Sequence, residues 1–254
     1  MAKNIEINVR CEQRYAVVDM VRSLAIINMI AYHAVWDLVY LFGYNWQWYH
    51  SIGAYVWQQY ICWSFILVSG FCLPMSRRGR KRGLTVFLAG CLITAVTVLA
   101  APDSVIIFGV LTLIGSCMLL LLPFRNILRR CHPLAGFIIS VGLFVITRDV
   151  NRGYLGFEGW HICLLPEGWY QNLLTAYLGL PPADFSSADY FSLLPWLFLF
   201  VSGFYLYYIC ERYGLLAKMK LKSCRLFEFI GRRSLIIYLL HQPVIYGILK
   251  LILG

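Results

Sequence analysis

Long apolar segments, separated by short loops in which the basic residues gather, constrain this chain more than any other feature. The first runs from Tyr15 to Phe42 and the last from Ser234 to Leu253. Charged residues make up only 13% of the 254, about half the share found in an ordinary soluble domain. About twenty apolar residues cross a bilayer as a helix. The sequence therefore predicts an all-α integral membrane protein, a bundle of about seven transmembrane helices in one domain, residues 1–254.

The distribution of Lys and Arg predicts which ends of these segments face the cytoplasm. Five of the nine residues of Met75–Gly83 are basic, and the connection Glu211–Arg233 is also strongly basic. Under the positive-inside rule both are cytoplasmic, together with the N-terminal stretch. The basic residues of that stretch are Lys3, Arg10 and Arg14. Residues 148–189 then form the longest outer segment, expected to act as a lid or a binding element, with a short re-entrant or interfacial helix at Trp169–Leu180.

The net charge of +10 does not indicate a nucleic-acid-binding protein. The basic residues lie in loops at alternate ends of apolar segments, whereas a nucleic-acid site interleaves a basic patch with aromatic side chains. The nine cysteines show no metal-ligand spacing, so no metal is expected. Only Cys163 falls in an outer segment, so no structural disulfide is expected either.

One pair of apolar segments is alike in sequence. Trp63–Leu73 and Trp196–Leu206 match at seven of eleven positions, and both contain a Ser-Gly pair. Small residues let two helices approach closely. The two segments are therefore expected to belong to helices that pack tightly against the functional core.

The first apolar segment carries ionisable side chains, which are costly within a bilayer and usually mark a functional pathway. Helical spacing places Asp19, Arg22, His33 and Asp37 on one narrow face. From Asp19 to Asp37 the helix rises about 27 Å, most of a hydrocarbon core about 30 Å thick. This face offers polar groups at several depths, either as a functional pathway or as contacts that pin helices together.

The spacing within this face suggests chemical roles. His33 and Asp37 are four residues apart and so face each other on a helix, where a carboxylate improves a histidine as a general base. A structural hydrogen bond is the alternative. Arg22 needs an anion, because it does not lose its proton. Asp19 supplies one, and a phosphate or carbonyl oxygen of a ligand entering from the cytoplasmic side is the alternative.

Two further histidines are candidates. His50 lies in the first outer loop among aromatic residues, and His241 lies within the last span. Tyr238 shares a helix face with His241, and Gln242 follows directly. Pro243 is expected to bend this helix, because it frees a carbonyl group one turn earlier. A buried histidine beside a bend indicates the wall of a site, with a helix–helix hydrogen bond as the alternative.

These residues resemble those of known membrane acyltransferases. Arg22-x10-His33 matches the Arg-x10-His element of the acyltransferase-3 family. The wider pattern is closer to the small bacterial DUF1624 proteins, and it comprises Asp19-x-x-Arg22, Tyr32-His33, Asp37, Ser69-Gly70, Gly231-x-x-Ser234 and Tyr238-Leu239-x-His241-Gln242-Pro243. The DUF1624 proteins are related to heparan-α-glucosaminide N-acetyltransferase, in the YeiB-like transmembrane acyltransferase superfamily.

The resemblance implies an enzyme of the bacterial cell membrane. Such an enzyme transfers an acyl group, expected to be acetyl, from cytosolic acetyl-CoA to a glycan, sugar or lipid-linked acceptor at the outer face. The catalytic candidates are His33, Asp37, His50 and His241, and the donor-binding candidates are Asp19, Arg22, Tyr238 and Gln242. The chain is expected to contact membrane lipid and no nucleic acid, and a homodimer is compatible with these features.

The two related families point to different histidines as the catalytic base. In heparan-α-glucosaminide N-acetyltransferase, the lysosomal relative, the proposed active histidine lies in the first outer loop, about twenty residues before a glycine of the next span. His50 takes this position relative to Gly70. The acyltransferase-3 pattern nominates His33 instead. Two other functions stay open from the sequence: a proton-coupled transporter whose pathway is the polar face of the first span, and a non-catalytic membrane scaffold.

Overall fold

The computed structural model describes residues 15–220 and 224–254. Within them the chain is mostly helical, and one two-stranded sheet is present, so the predicted helical class is confirmed. Four basic residues of the predicted cytoplasmic stretches lie outside the described ranges. They are Lys3, Arg10, Arg14 and Lys222.

Ten α-helices are found in the part of the chain that the structure describes. They are α1 (Ala16–Tyr40), α2 (Ile52–Cys72), α3 (Gly79–Ala100), α4 (Val110–Leu128), α5 (Pro133–Ile146), α6 (Leu173–Leu178), α7 (Leu193–Arg212), α8 (Leu215–Lys218), α9 (Arg225–Arg232) and α10 (Ser234–Leu253). The strands are β1 (Tyr154–Phe157) and β2 (Trp160–Leu164), which pair antiparallel. Helix α10 continues through Pro243 without an interruption.

Six helices are long and apolar enough to cross a membrane, counted over the described residues. They are α1, α3, α4, α5 with the turns after it, α7 and α10. The predicted count of about seven is therefore not confirmed. The predicted second span forms α2, which has the length of a span, but Gln58, Gln59 and several aromatic side chains lower its hydropathy. The chain is a multi-pass membrane protein, while its orientation in the membrane stays a prediction.

The chain divides into two compact units, residues 1–45 with 210–254, and residues 46–209. In the first unit α1 packs against both α9 and α10. The Ser23 hydroxyl donates a hydrogen bond of 2.7 Å to the carbonyl of Phe227. Nearby, a Cβ added at Gly231 would lie only 3.1 Å from the Cβ of Asp19. A glycine at this position lets α9 approach the backbone of α1 closely.

In the second unit the two similar segments pack against each other. A Cβ added at Gly70 of α2 would overlap the carbonyl oxygen of Phe200 on α7, and one at Gly203 would overlap that of Leu67. The close approach that the Ser-Gly pairs allow is therefore present between these two helices, while their packing against a functional core stays a prediction. On α7, Ser202 also donates a 3.1 Å hydrogen bond to the hydroxyl of Ser140 on α5.

Residues 148–189 differ from the sequence expectation. Their first part forms the β1–β2 hairpin, which was not predicted. The predicted helix Trp169–Leu180 is wrong in extent, because only α6 forms there, preceded by a 3₁₀ turn at Glu167–Trp169. The Asn172 side chain caps the start of α6 and Gly179, with φ of 125°, follows its last residue. Both residues stop the helix from extending.

Candidate active site

Two histidines from the first and last helices of the chain meet in the first unit. The ring centroids of His33 on α1 and His241 on α10 are 4.8 Å apart, and the rings are inclined by 62°. The Nδ1 atom of His241 is hydrogen-bonded to the carbonyl oxygen of Tyr238, one turn earlier on α10. Because a carbonyl group only accepts, Nδ1 carries the hydrogen, and Nε2 of the neutral ring carries the lone pair.

The Nε2 atom of His241 is buried, and it has no hydrogen-bond partner within residues 15–220 and 224–254. Leaving a buried acceptor unpaired costs about 1–3 kcal/mol. A ligand group that donates a hydrogen to Nε2 recovers this cost. The ring is thus oriented as an acceptor for a proton brought by a ligand.

A carboxylate and a carboxamide lie in the same unit. Asp37 on α1 is fully buried, and Nε2 of Gln242 on α10 donates a hydrogen bond to its Oδ1 atom. The other acceptors of this pair, Oδ2 of Asp37 and Oε1 of Gln242, are buried without a partner among the described atoms. The helical spacing predicts that Asp37 faces His33, but the structure pairs the carboxylate with the neighbouring helix. The physical reason is that Gln242 brings a donor to Asp37, while the His33 ring lies against His241.

The polar face of α1 is divided into two groups. Asp19 and Arg22 form an ion pair of 3.7 Å, so the internal partner proposed for Arg22 is present. His33 follows about three turns later, roughly 16 Å along the helix. Of the four predicted donor-binding residues, Asp19 and Arg22 therefore belong to one group. Tyr238, whose ring lies 5.3 Å from that of His241, belongs with Gln242 to the other.

His50 lies in the second unit, at the end of a 3₁₀ turn, Gln47–His50, directly before α2. Its side chain is exposed, and its ring centroid is 6.1 Å from that of Tyr49. The structure thus places three of the four catalytic candidates in the first unit and one in the second. The role of each stays a prediction.

A second polar cluster, in the second unit, escaped the sequence analysis. Arg148 follows α5, and its Nη2 atom lies 3.0 Å from the Tyr55 hydroxyl, 3.0 Å from Oε1 of Gln59 and 3.2 Å from Oε1 of Glu158. Tyr55 donates a hydrogen bond of 2.6 Å to Glu158. The guanidinium carbon also lies 5.0 Å from the ring centre of Trp196. The cluster ties the hairpin turn to α2, and the four-residue spacing of Tyr55 and Gln59 was its signal in the sequence.

Apolar candidate spans that bring two half-buried histidines together define a helical membrane protein. No group of three or more His, Cys, Asp or Glu side chains that could hold a metal is found where the structure describes the chain. The family model for the catalytic domain of heparan-alpha-glucosaminide N-acetyltransferase matches residues 14–243. The chain therefore belongs to this family of acetyltransferases, which confirms the resemblance drawn from the sequence. No curated protein and no solved structure matches it.

Proposed function

We propose that this protein is a membrane-bound acyltransferase that moves an acetyl group from cytosolic acetyl-CoA to an amine or hydroxyl of a glycan, sugar or lipid-linked acceptor at the outer face. The observation that carries the proposal is the buried, unpartnered Nε2 atom of His241 beside His33. The family supplies the reaction class, and this atom supplies a base for it.

The proposed chemistry follows from the tautomer of His241. The acceptor amine or hydroxyl gives its proton to Nε2 while its nitrogen or oxygen bonds to the thioester carbon. The carbon–sulfur bond then breaks, and the thiolate of CoA leaves with the proton that Nε2 of His241 had accepted, which restores the neutral ring. General-base catalysis of this kind contributes about 10²–10⁴-fold to a rate. The Oδ2 atom of Asp37 is a second free acceptor, suited to orienting the incoming group.

The donor is proposed to enter from the side of α9. This helix and the residue after it carry Arg225, Arg232 and Arg233, which suit the phosphates of CoA. The side chain of Arg22 is 23% exposed although it pairs with the buried Asp19, so part of its guanidinium is open to a phosphate. An acetyl-histidine intermediate and direct transfer are both compatible with this arrangement.

The arrangement favours an enzyme over a proton-coupled transporter. A proton path along α1 requires groups that exchange protons at successive depths. The Asp19–Arg22 pair instead forms a group of its own, about three turns from His33. Three of the buried atoms without a partner among the described residues belong to Asp37 on α1 and to His241 and Gln242 on α10, which suits a reaction site between these two helices.

The test is acetyl transfer by purified protein in lipid nanodiscs, with labelled acetyl-CoA and a panel of amino sugars and hydroxylated glycans. We expect His241→Ala to lower kcat by about 10²–10⁴-fold. His33→Ala and His50→Ala are measured beside it, because the related families nominate these two residues. His132→Ala, in the loop before α5, is the control and should keep full activity.

The outcomes separate the alternatives. Loss of transfer in His241→Ala with intact acetyl-CoA binding by calorimetry supports the base role. Full activity in His241→Ala with loss only in His50→Ala moves the base to the second unit. A wild-type protein that neither binds acetyl-CoA nor transfers acetyl to any acceptor contradicts the proposed function.

A further inference from the structure

Strand β2 presents apolar side chains to the outside of the protein. Trp160, Ile162 and Leu164 are 79%, 62% and 75% exposed, and all five residues of the strand are exposed. Its neighbour β1 is half-buried and contacts α5. Apolar side chains exposed together to this extent mark a surface that meets lipid, a partner or a ligand.

The position of the hairpin in the chain puts it at a membrane boundary. The candidate span that contains α5 ends at Arg152, and β1 begins at Tyr154. On α5 itself, Ile138 and Ile139 are 61% and 62% exposed, as expected of a helix that faces lipid. The hairpin thus follows directly on a candidate span that has exposed apolar side chains, and this holds for either orientation of the protein.

The hairpin is fixed in its orientation at its turn. Glu158 in the turn accepts the hydrogen bond from Tyr55 and lies 3.2 Å from Nη2 of Arg148. The backbone N–H of Gly159 donates a 3.1 Å hydrogen bond to Oδ2 of Asp149, a residue that is itself buried. These contacts hold the turn against the rest of the second unit, and they thereby fix the outward direction of β2.

We propose that β2 lies in the headgroup region of the bilayer, beside the end of α5, and anchors the segment 148–189 to the membrane surface. Tryptophan is enriched at this level because its ring is apolar and its N–H is polar. At the base of the hairpin, Arg152 pairs with Asp149 at 3.4 Å, and its side chain is 59% exposed, so that its guanidinium can also meet a lipid phosphate.

The open edge of the strand sets its depth. The sheet has two strands only, so the outer N–H and C=O groups of β2 have no neighbouring strand within the described residues. Unpaired backbone groups are not tolerated in the hydrocarbon core, but they are hydrated at headgroup level. A second copy of the chain explains the exposed strand less well than lipid does. The three apolar side chains expose roughly 400 Å², about half of the area that one partner contributes to a stable interface.

The first test measures the depth of Trp160 by fluorescence in liposomes. The chain has 8 tryptophans, so the signal of Trp160 is taken as the difference between the wild type and Trp160→Phe. Phenylalanine preserves an apolar aromatic ring. Substitutions at exposed positions change stability little, so we expect the variant to fold. We expect lipids brominated near the headgroup to quench this difference signal several-fold more than lipids brominated near the chain ends.

The second test identifies what covers the strand. A photoreactive benzoylphenylalanine replaces Ile162 or, in a second variant, Leu164, and the control site is the exposed polar Asp184. We expect phospholipid adducts at both strand positions and not at Asp184. Equal adduct levels at all three sites, cross-links to a second copy, absence of quenching, or stronger quenching near the chain ends would each overturn the proposal.

Discussion

Replacing Gln242 by leucine tests whether the pair that it forms with Asp37 serves catalysis or only the fold. Leucine is close to glutamine in size but cannot donate to Oδ1 of Asp37, which is fully buried. A hydrogen bond to a charged group contributes about 1.5–3 kcal/mol to stability. The substitution also removes the buried, unpartnered Oε1 atom of Gln242, which relieves a cost of about 1–3 kcal/mol.

These two effects largely cancel in the free energy of unfolding. We therefore expect Gln242→Leu to lower stability by only about 1 kcal/mol, a shift of roughly 2–4 °C in the melting temperature. Activity has no such compensation, because Asp37 loses the group that orients it. If the transition state loses the stabilisation of about 1.5–3 kcal/mol that this hydrogen bond provides, kcat falls by roughly ten- to a hundredfold.

The assay pairs thermal unfolding in detergent with acetyl transfer in nanodiscs. Gln58→Leu is the matched control, since this glutamine on α2 has no side-chain hydrogen bond in the described structure, and it should leave both measurements unchanged. The double variant Asp37→Asn with Gln242→Leu should be no less active than the worse single variant. If Gln242→Leu behaves like Gln58→Leu in both assays, the proposed role of the pair is refuted.

Two further predictions concern stability in the second unit. Gly70→Ala should destabilise the protein by about 1–3 kcal/mol, because its Cβ would overlap the backbone carbonyl of Phe200. A Cβ at Gly142 on α5 would meet no atom of another element within 4 Å, so Gly142→Ala should be neutral or stabilising in the same melting assay. Burial raises the pKa of Asp189 to about 6, so the folded state holds this proton more tightly than the unfolded state. The stability that it contributes is full below its ordinary pKa of 3.8 and is lost as pH rises through 6. The melting temperature of the wild type relative to Asp189→Asn should fall over this pH range, and a constant difference would contradict the assignment.

The membrane class and the family were accessible from the sequence, because both depend on local properties of the chain. Apolar stretches of the length of a span and the cost of an ionisable group within them do not depend on how the helices pack. The same reasoning selected His33, Asp37, His241 and Gln242, which the structure brings into one unit. The predicted span at α2 is not confirmed, because α2 has the length of a span but its glutamines lower its hydropathy.

The hairpin shows why part of the outer segment was missed. The strands have only four and five residues, and their register is irregular between Leu155 and Gly156. Strict alternation of apolar and polar residues is the signal for a strand, and a bulge breaks it. The turn residue Glu158 is held by Arg148 and Tyr55, which lie outside the hairpin.

The sequence by itself determined that this protein inserts into a membrane, which helices carry polar groups and which enzyme family it belongs to. Only the tertiary structure decided that Gln242, and not His33, binds Asp37 and that Nε2 of His241 is buried without a hydrogen-bond partner among the described residues. Helical spacing fixes which residues share a face of one helix. The partner that each side chain finds depends on how the neighbouring helix is rotated and how closely it packs, and these are properties of the assembled fold.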